Sequence, residues 1–200
     1  MGRTSDAREK ILGAAQSLIE LRGYSALGVA DICKAAQVPK GSFYYFFESK
    51  EALALAVIDE RWADQQRTWT RILSGPGEPL QRLRELFEST EAAQRAGQQG
   101  CGAVVGCLFG NLTLEMSNQT EAVRGRLQEI FDAQVDLVAP VIAEALARSE
   151  VSVADPRAAA RSVVAQLEGQ VLLAKLYNDT RLLGPLWANS LALLGADAPT

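Results

Sequence analysis

The stretch ALGVADICKAAQVPKGSFYYFF, residues 26–47, decides the reading of this chain. Val29, Ile32, Cys33 and Ala36 fall at i, i+3, i+4 and i+7, the spacing that aligns apolar side chains on one helix face. Gln37-Val38-Pro39 interrupts that helix, because proline cannot continue a preceding helix. A second short helix is expected from Lys40 to Phe47. Two helices this short cannot fold alone, so a preceding helix must support them, and the second can then lie in a DNA major groove about 12 Å wide. Phe43 and Phe47, four apart, should face the core of this head. Lys40, Ser42, Tyr44 and Tyr45 then lie toward the opposite side, where the lysine supplies charge and the hydroxyls can bond phosphates or base edges. Gly41 permits close backbone approach, and Lys50 offers a further phosphate contact.

Working outward, the periodicity is helical almost throughout. Asp6 and Glu9 have capping-box spacing, followed by an apolar stripe of Ile11, Ala14, Ala15, Leu18 and Ile19 that Gly23 would end. Ser49 caps a long fourth helix that runs to Ser74-Gly75-Pro76-Gly77, about 37 Å at 1.5 Å per residue. A fifth helix fades near residues 97–100, a sixth covers 103–117, and a seventh spans Thr120 to Arg148 around Pro140. Asp155-Pro156 is an N-cap and N1 pair for an eighth helix ending near Tyr177. Leu182 to Leu194 makes a ninth. No β-alternation or internal repeat occurs, so the fold class is all-α, with a head at residues 1–48 and a body at 49–200.

Composition narrows the function. The 200 residues contain no histidine and three cysteines, Cys33, Cys101 and Cys107, with no CxxC pair. This removes Ser-His and Cys-His nucleophiles, histidine bases and histidine metal sites, so neither a metal nor a cofactor is expected. No apolar run is long enough to span a bilayer and no secretory leader opens the chain, which points to a cytoplasmic protein away from membranes. The net charge is −4, yet residues 1–50 carry seven Lys/Arg against five acids, leaving −6 for the remainder. A local cationic face suffices for DNA, because charge is screened over about 10 Å.

Residues 8–55 resemble the DNA-binding head of the tetracycline-repressor (TetR) family, in the pattern "GY…V.DI..AA.VPKGSFYYFF.SKE.L" as it stands here. The resemblance implies a nine-helix, non-enzymatic transcriptional repressor acting as a homodimer on a palindromic operator in double-stranded DNA. It implies DNA contacts from Lys40, Gly41, Ser42, Tyr44, Tyr45 and Lys50, and a phosphate near Gly28 at the start of the second helix. Phe46 stands where the family often has a polar His or Tyr. Gly100 to Ser117, with its "GC.…N…E" pattern, resembles a subgroup that responds to electrophiles, reactive chlorine or acrylate-like molecules, and Leu167-Glu168-Gly169 through Lys175 resembles that subgroup's eighth helix.

For the body, Cys107 is expected in the first turn of the sixth helix, where the helix N-terminus favours a thiolate. Arg124 and Lys175 are candidate cationic neighbours, and a Cys101–Cys107 disulfide is conceivable. Inert packing and pocket lining are the alternatives for Cys107. A pocket among helices four to eight would use Trp62, Phe87, Phe109, Met116 and Tyr177, with Asn111, Glu115 and Glu168 orienting a small-molecule effector; ordinary core is the alternative for each aromatic, and a solvated helix face for Asn111 and Glu115. The last two helices are too apolar to stay exposed, and the resemblance implies that they meet a twofold mate in a four-helix bundle. An enzyme using carboxylates or Cys107, and a helical carrier that binds small molecules without an operator, remain as alternatives.

Overall fold

The helix starts and stops follow from where backbone groups find partners. The computed structural model describes residues 2–196. In chain order the described residues form α1 (Gly2–Arg22), α2 (Val29–Ala35), α3 (Lys40–Phe46), α4 (Lys50–Leu73), α5 (Pro79–Cys101), α6 (Leu108–Met116), α7 (Glu121–Ala147), α8 (Pro156–Tyr177), a 3₁₀ turn (Thr180–Leu183) and α9 (Leu186–Leu193). No strand occurs among them. The all-α, nine-helix expectation holds.

Several boundaries differ from the sequence reading, each for a local reason. Helix α1 begins at Gly2 rather than at Asp6, whose carboxylate pairs with Lys10 at 2.8 Å one turn on. Helix α5 runs through Gly97 and Gly100, since a helical glycine costs only about 1 kcal/mol, and stops at Gly102 in the left-handed region. Helix α6 starts at Leu108, not at residue 103, because side chains elsewhere hold the backbone of the preceding residues. The expected ninth helix breaks at Gly184-Pro185, where proline has no N–H to extend the 3₁₀ turn, and α9 begins after it. Ser49 caps α4 as expected, accepting the Ala52 N–H at 3.0 Å, and Asp155 caps α8 through Arg157 N.

The chain's contacts divide into two units, Met1–Ala63 with Cys107–Gln128, and Asp64–Gly106 with Glu129–Thr200. In the first unit α1, α2 and α3 pack on one another. Ile11, Ala15, Ile19, Ile32, Cys33, Phe43 and Phe47 are buried, so the three helices share one apolar centre. Helix α6 packs on α1 in the same unit. In the second unit α8 packs on α9 and on the 3₁₀ turn, which also meets α5. Ser190 on α9, fully buried, donates to Gln166 on α8 at 2.9 Å. Arg82, little exposed, donates to the Leu73 carbonyl at 2.8 Å and pairs with Glu144. No helix among the described residues is long and apolar enough to cross a membrane.

Candidate nucleic-acid interface

Helix α3 is two-faced. Phe43 is fully buried and Phe47 nearly so, with ring centroids 5.8 Å apart, while Arg8 of α1 sits over the Phe47 ring at 5.7 Å. On the other face Tyr44 is 57% exposed and Tyr45 74% exposed. Lys40 and Gly41 are also exposed and Ser42 is half-buried. A tyrosine ordinarily buries most of its ring, so two adjacent exposed ones call for a partner. An open cleft of about 510 Å³ runs beside them, bordered by Arg8, Tyr44, Tyr45, Phe46 and Glu48. Phe46 is half-buried, edge-on to Tyr45 at 4.8 Å. Gly28, exposed, precedes α2 with its N–H bonded to Asp31 at 3.0 Å.

Lys50 is placed differently from the others. Its ammonium donates to the carbonyls of Tyr24 (3.0 Å) and Leu27 (2.9 Å) and lies 3.9 Å from the Tyr24 ring centroid. Burial lowers its pKa, against the opposing pull of Glu115. Burial also pushes the Tyr24 hydroxyl up, assisted by Glu51.

The candidate sensing residues fall into both units. Cys107, Trp62, Phe109, Asn111 and Glu115 belong to the first; Phe87, Glu168 and Tyr177 belong to the second. Cys107 is the N-cap of α6, one position before the first turn, and its sulfur accepts the Gly110 N–H at 3.5 Å. Trp62 and Phe109 are buried and meet edge-on at 6.2 Å. Met116 is buried as well, and Asn111 is half-buried. Glu115 accepts the Ser25 N–H at 2.9 Å, so its carboxylate is engaged with the turn between α1 and α2. In the second unit Phe87 is buried against Trp187 at 6.0 Å and Glu168 is half-buried. Tyr177, at the end of α8, is 68% exposed. Arg124 is paired with Glu121, and no disulfide joins Cys101 to Cys107.

Three polar residues escaped the sequence reading. Gln94 binds both backbone groups of Gly106, and Asn178 accepts the Val104 N–H at 2.8 Å while donating to the Gly102 carbonyl at 3.2 Å. Gln98 in turn donates to the Asn178 carbonyl at 2.6 Å. Only Asn178 carried a local signal, an asparagine just beyond a helix end, where the left-handed cap it adopts is common.

An all-helical chain that offers an exposed aromatic and cationic helix above a buried three-helix centre is a DNA-binding regulator of the helix-turn-helix class. The comparisons place it more closely. Residues 11–57 match the family of bacterial regulatory proteins called the tetR family, and residues 79–188 match the tetracyclin repressor-like C-terminal domain. The chain belongs to the TetR family and is a DNA-binding transcriptional regulator, not an enzyme. It is 33% identical over 183 residues to an uncharacterized HTH-type transcriptional regulator in the lacX 3' region of Lactococcus lactis, covering 89% of this chain and 88% of that one. It is 32% identical over 127 residues to the HTH-type transcriptional repressor NemR of Escherichia coli, spanning 62% of this chain and 61% of NemR. The crystal structure of reduced E. coli NemR superposes with a TM-score of 0.83 at 26% identity, covering 97% of this chain and all of that one. A regulatory protein TetR from Rhodobacter sphaeroides gives a TM-score of 0.84 at 32% identity, over 92% and 96% of the two chains.

Proposed function

We propose that this protein represses transcription as a homodimer on a palindromic operator and releases it when a small molecule or electrophile acts on the sensing body. The observation that carries the DNA half is the exposure of Tyr44 and Tyr45 over the buried Phe43. Lys40, Gly41, Ser42, Tyr44 and Tyr45 meet phosphates and base edges in the major groove, and Gly28 meets a phosphate at the start of α2. The dimer is supported by apolar side chains left in solvent on the last helices: Leu172, Leu173, Leu176 and Tyr177 on α8 and Leu193 on α9. A twofold pair supplies two heads for two half-sites.

Cys107 supports the sensing half. Its sulfur accepts the Gly110 N–H at the N-terminus of α6, and the thiolate form of a cysteine is the nucleophile. Against an electron-poor alkene, the sulfur lone pair forms an S–C bond as the C=C π bond breaks, and the resulting carbanion takes a proton from water. Trp62 and Phe109, buried on the same unit, add apolar surface beside α6, and Phe87, Glu168 and Tyr177 are the second unit's candidates. The effector acts by favouring a state with lower DNA affinity, so effector and DNA weaken each other reciprocally.

Gel-shift against the DNA upstream of the protein's own coding region tests both halves. A specific shift that Lys40→Ala with Tyr44→Ala abolishes is expected; no specific shift from the unaltered protein would leave a small-molecule carrier as the better reading. N-ethylmaleimide should release the complex of the Cys101→Ser protein and spare that of the Cys101→Ser, Cys107→Ser protein. Equal release in both removes Cys107 from the sensor and favours a reversible, non-covalent effector.

A further inference from the structure

We propose that Lys50 and Glu115 are positioning residues that together clamp the turn between α1 and α2, so that Lys50 supports the DNA-binding head from within and α6 is bonded directly to it. The inference rests on the DNA-binding reading above. It assigns Lys50 a role other than the phosphate contact that its place at the start of α4 suggested.

The turn covers residues 23–28 and is held at four points. Lys50 takes the carbonyls of Tyr24 and Leu27, which spends two of its three N–H donors, and its charge rests against the Tyr24 ring. Glu115 takes the Ser25 N–H from a helix 90 residues further along the chain. Gly23 stands at φ +80, and a Cβ there would come within 2.7 Å of a Glu115 carboxylate oxygen, so the carboxylate is packed against bare backbone. Burial lowers the Lys50 pKa, and the negative charge of Glu115 opposes that shift in part. A phosphate contact would require Lys50 to abandon two carbonyls and leave them without a charged donor. The turn leads into α2, and α2 packs on α3, so an error in the turn becomes an error in the pose of the recognition helix. Both residues therefore act on DNA through the head's geometry. Because Cys107 caps α6 and α6 carries Glu115, a displacement of α6 reaches the turn through one hydrogen bond.

Salt dependence separates the two roles of a lysine. Each phosphate neutralised adds about 0.9 to the slope of log affinity against log salt. The test measures this slope for the full-length protein on a duplex that it selects from a random pool, and then for Lys50→Met, Lys50→Arg and Glu115→Gln. We expect Lys50→Met to weaken binding about tenfold at every salt concentration with the slope unchanged. Lys50→Arg should also weaken it, because a planar guanidinium does not fit the two carbonyls that a compact ammonium bridges. A phosphate contact predicts the reverse: a slope lower by about 0.9 per subunit in Lys50→Met and full binding in Lys50→Arg. Either result overturns the clamp. Glu115→Gln removes a negative charge from a DNA-binding unit, which by electrostatics alone tightens the complex; the clamp predicts binding about fivefold weaker. The double variant Lys50→Met, Glu115→Gln should lose less than the sum of the two single losses, and strict additivity would sink the coupling. If the unaltered protein selects no duplex, the regulatory reading falls and takes the clamp with it.

Discussion

The side-chain amide of Gln94 grips both backbone groups of Gly106: Nε2 donates to its carbonyl at 3.0 Å and Oε1 accepts its N–H at 3.1 Å. Gln94 and Gly106 are both buried, so neither backbone group has water as a substitute partner. Gly106 sits at φ +80, a conformation open to glycine at little cost. This pairing helps explain why residues 103–107 stay outside α6.

Gln94→Leu should accordingly lower stability by about 2–4 kcal/mol, since two buried backbone groups lose their partners at once. Chemical denaturation at fixed protein concentration reads this, and a loss below about 0.5 kcal/mol would show that the grip is incidental.

Phe43 and Tyr45, two residues apart on α3, should respond oppositely to truncation. Phe43→Ala empties the centre of the head and costs about 3–5 kcal/mol of stability. Tyr45→Ala should leave stability within about 0.5 kcal/mol and weaken operator binding, because its ring stands mostly in solvent. Thermal melting and gel-shift on the same two preparations check both halves.

The exposed leucines of α8 supply a test of assembly. Leu172→Glu with Leu176→Glu places two charges on the face proposed to meet its twofold mate. Sedimentation velocity should show a monomer where the unaltered chain sediments as a dimer, and an unchanged dimer would move the interface elsewhere.

The cysteines should label in order of access. Cys101 is exposed, Cys107 half-buried and Cys33 buried, so an alkylating reagent followed by peptide mass analysis should reach Cys33 only on unfolding. Burial raises the Cys33 pKa above 9.0, with Lys40 opposing. The folded state then holds its proton more tightly than the unfolded chain, so this contribution is intact below pH 9.0 and fades as pH rises through the folded value. The stability advantage of the natural chain over Cys33→Ala should shrink above pH 9.0.

Tyr44 and Phe43 show what was legible. Their alternation between solvent and core follows from helical spacing alone, and it came out as read. Lys50 and Glu115 show the opposite case. Spacing says which face each side chain shares but nothing about a partner dozens of residues away, and the bonds of Lys50 to the Tyr24 and Leu27 carbonyls and of Glu115 to the Ser25 N–H are of that kind. The 103–107 segment was misjudged for the same reason, since its bonds go to Gln94 and Asn178.

What the sequence determined by itself is local: the helices, most of their caps, the turn before α3 and the family, all set by periodicity and by residues that break it within a few positions. What needed the tertiary structure is where polar side chains spend their hydrogen bonds. A carboxylate or ammonium has no periodic requirement to satisfy, only a nearby donor or acceptor. Which one is near is fixed when distant helices come to rest against each other.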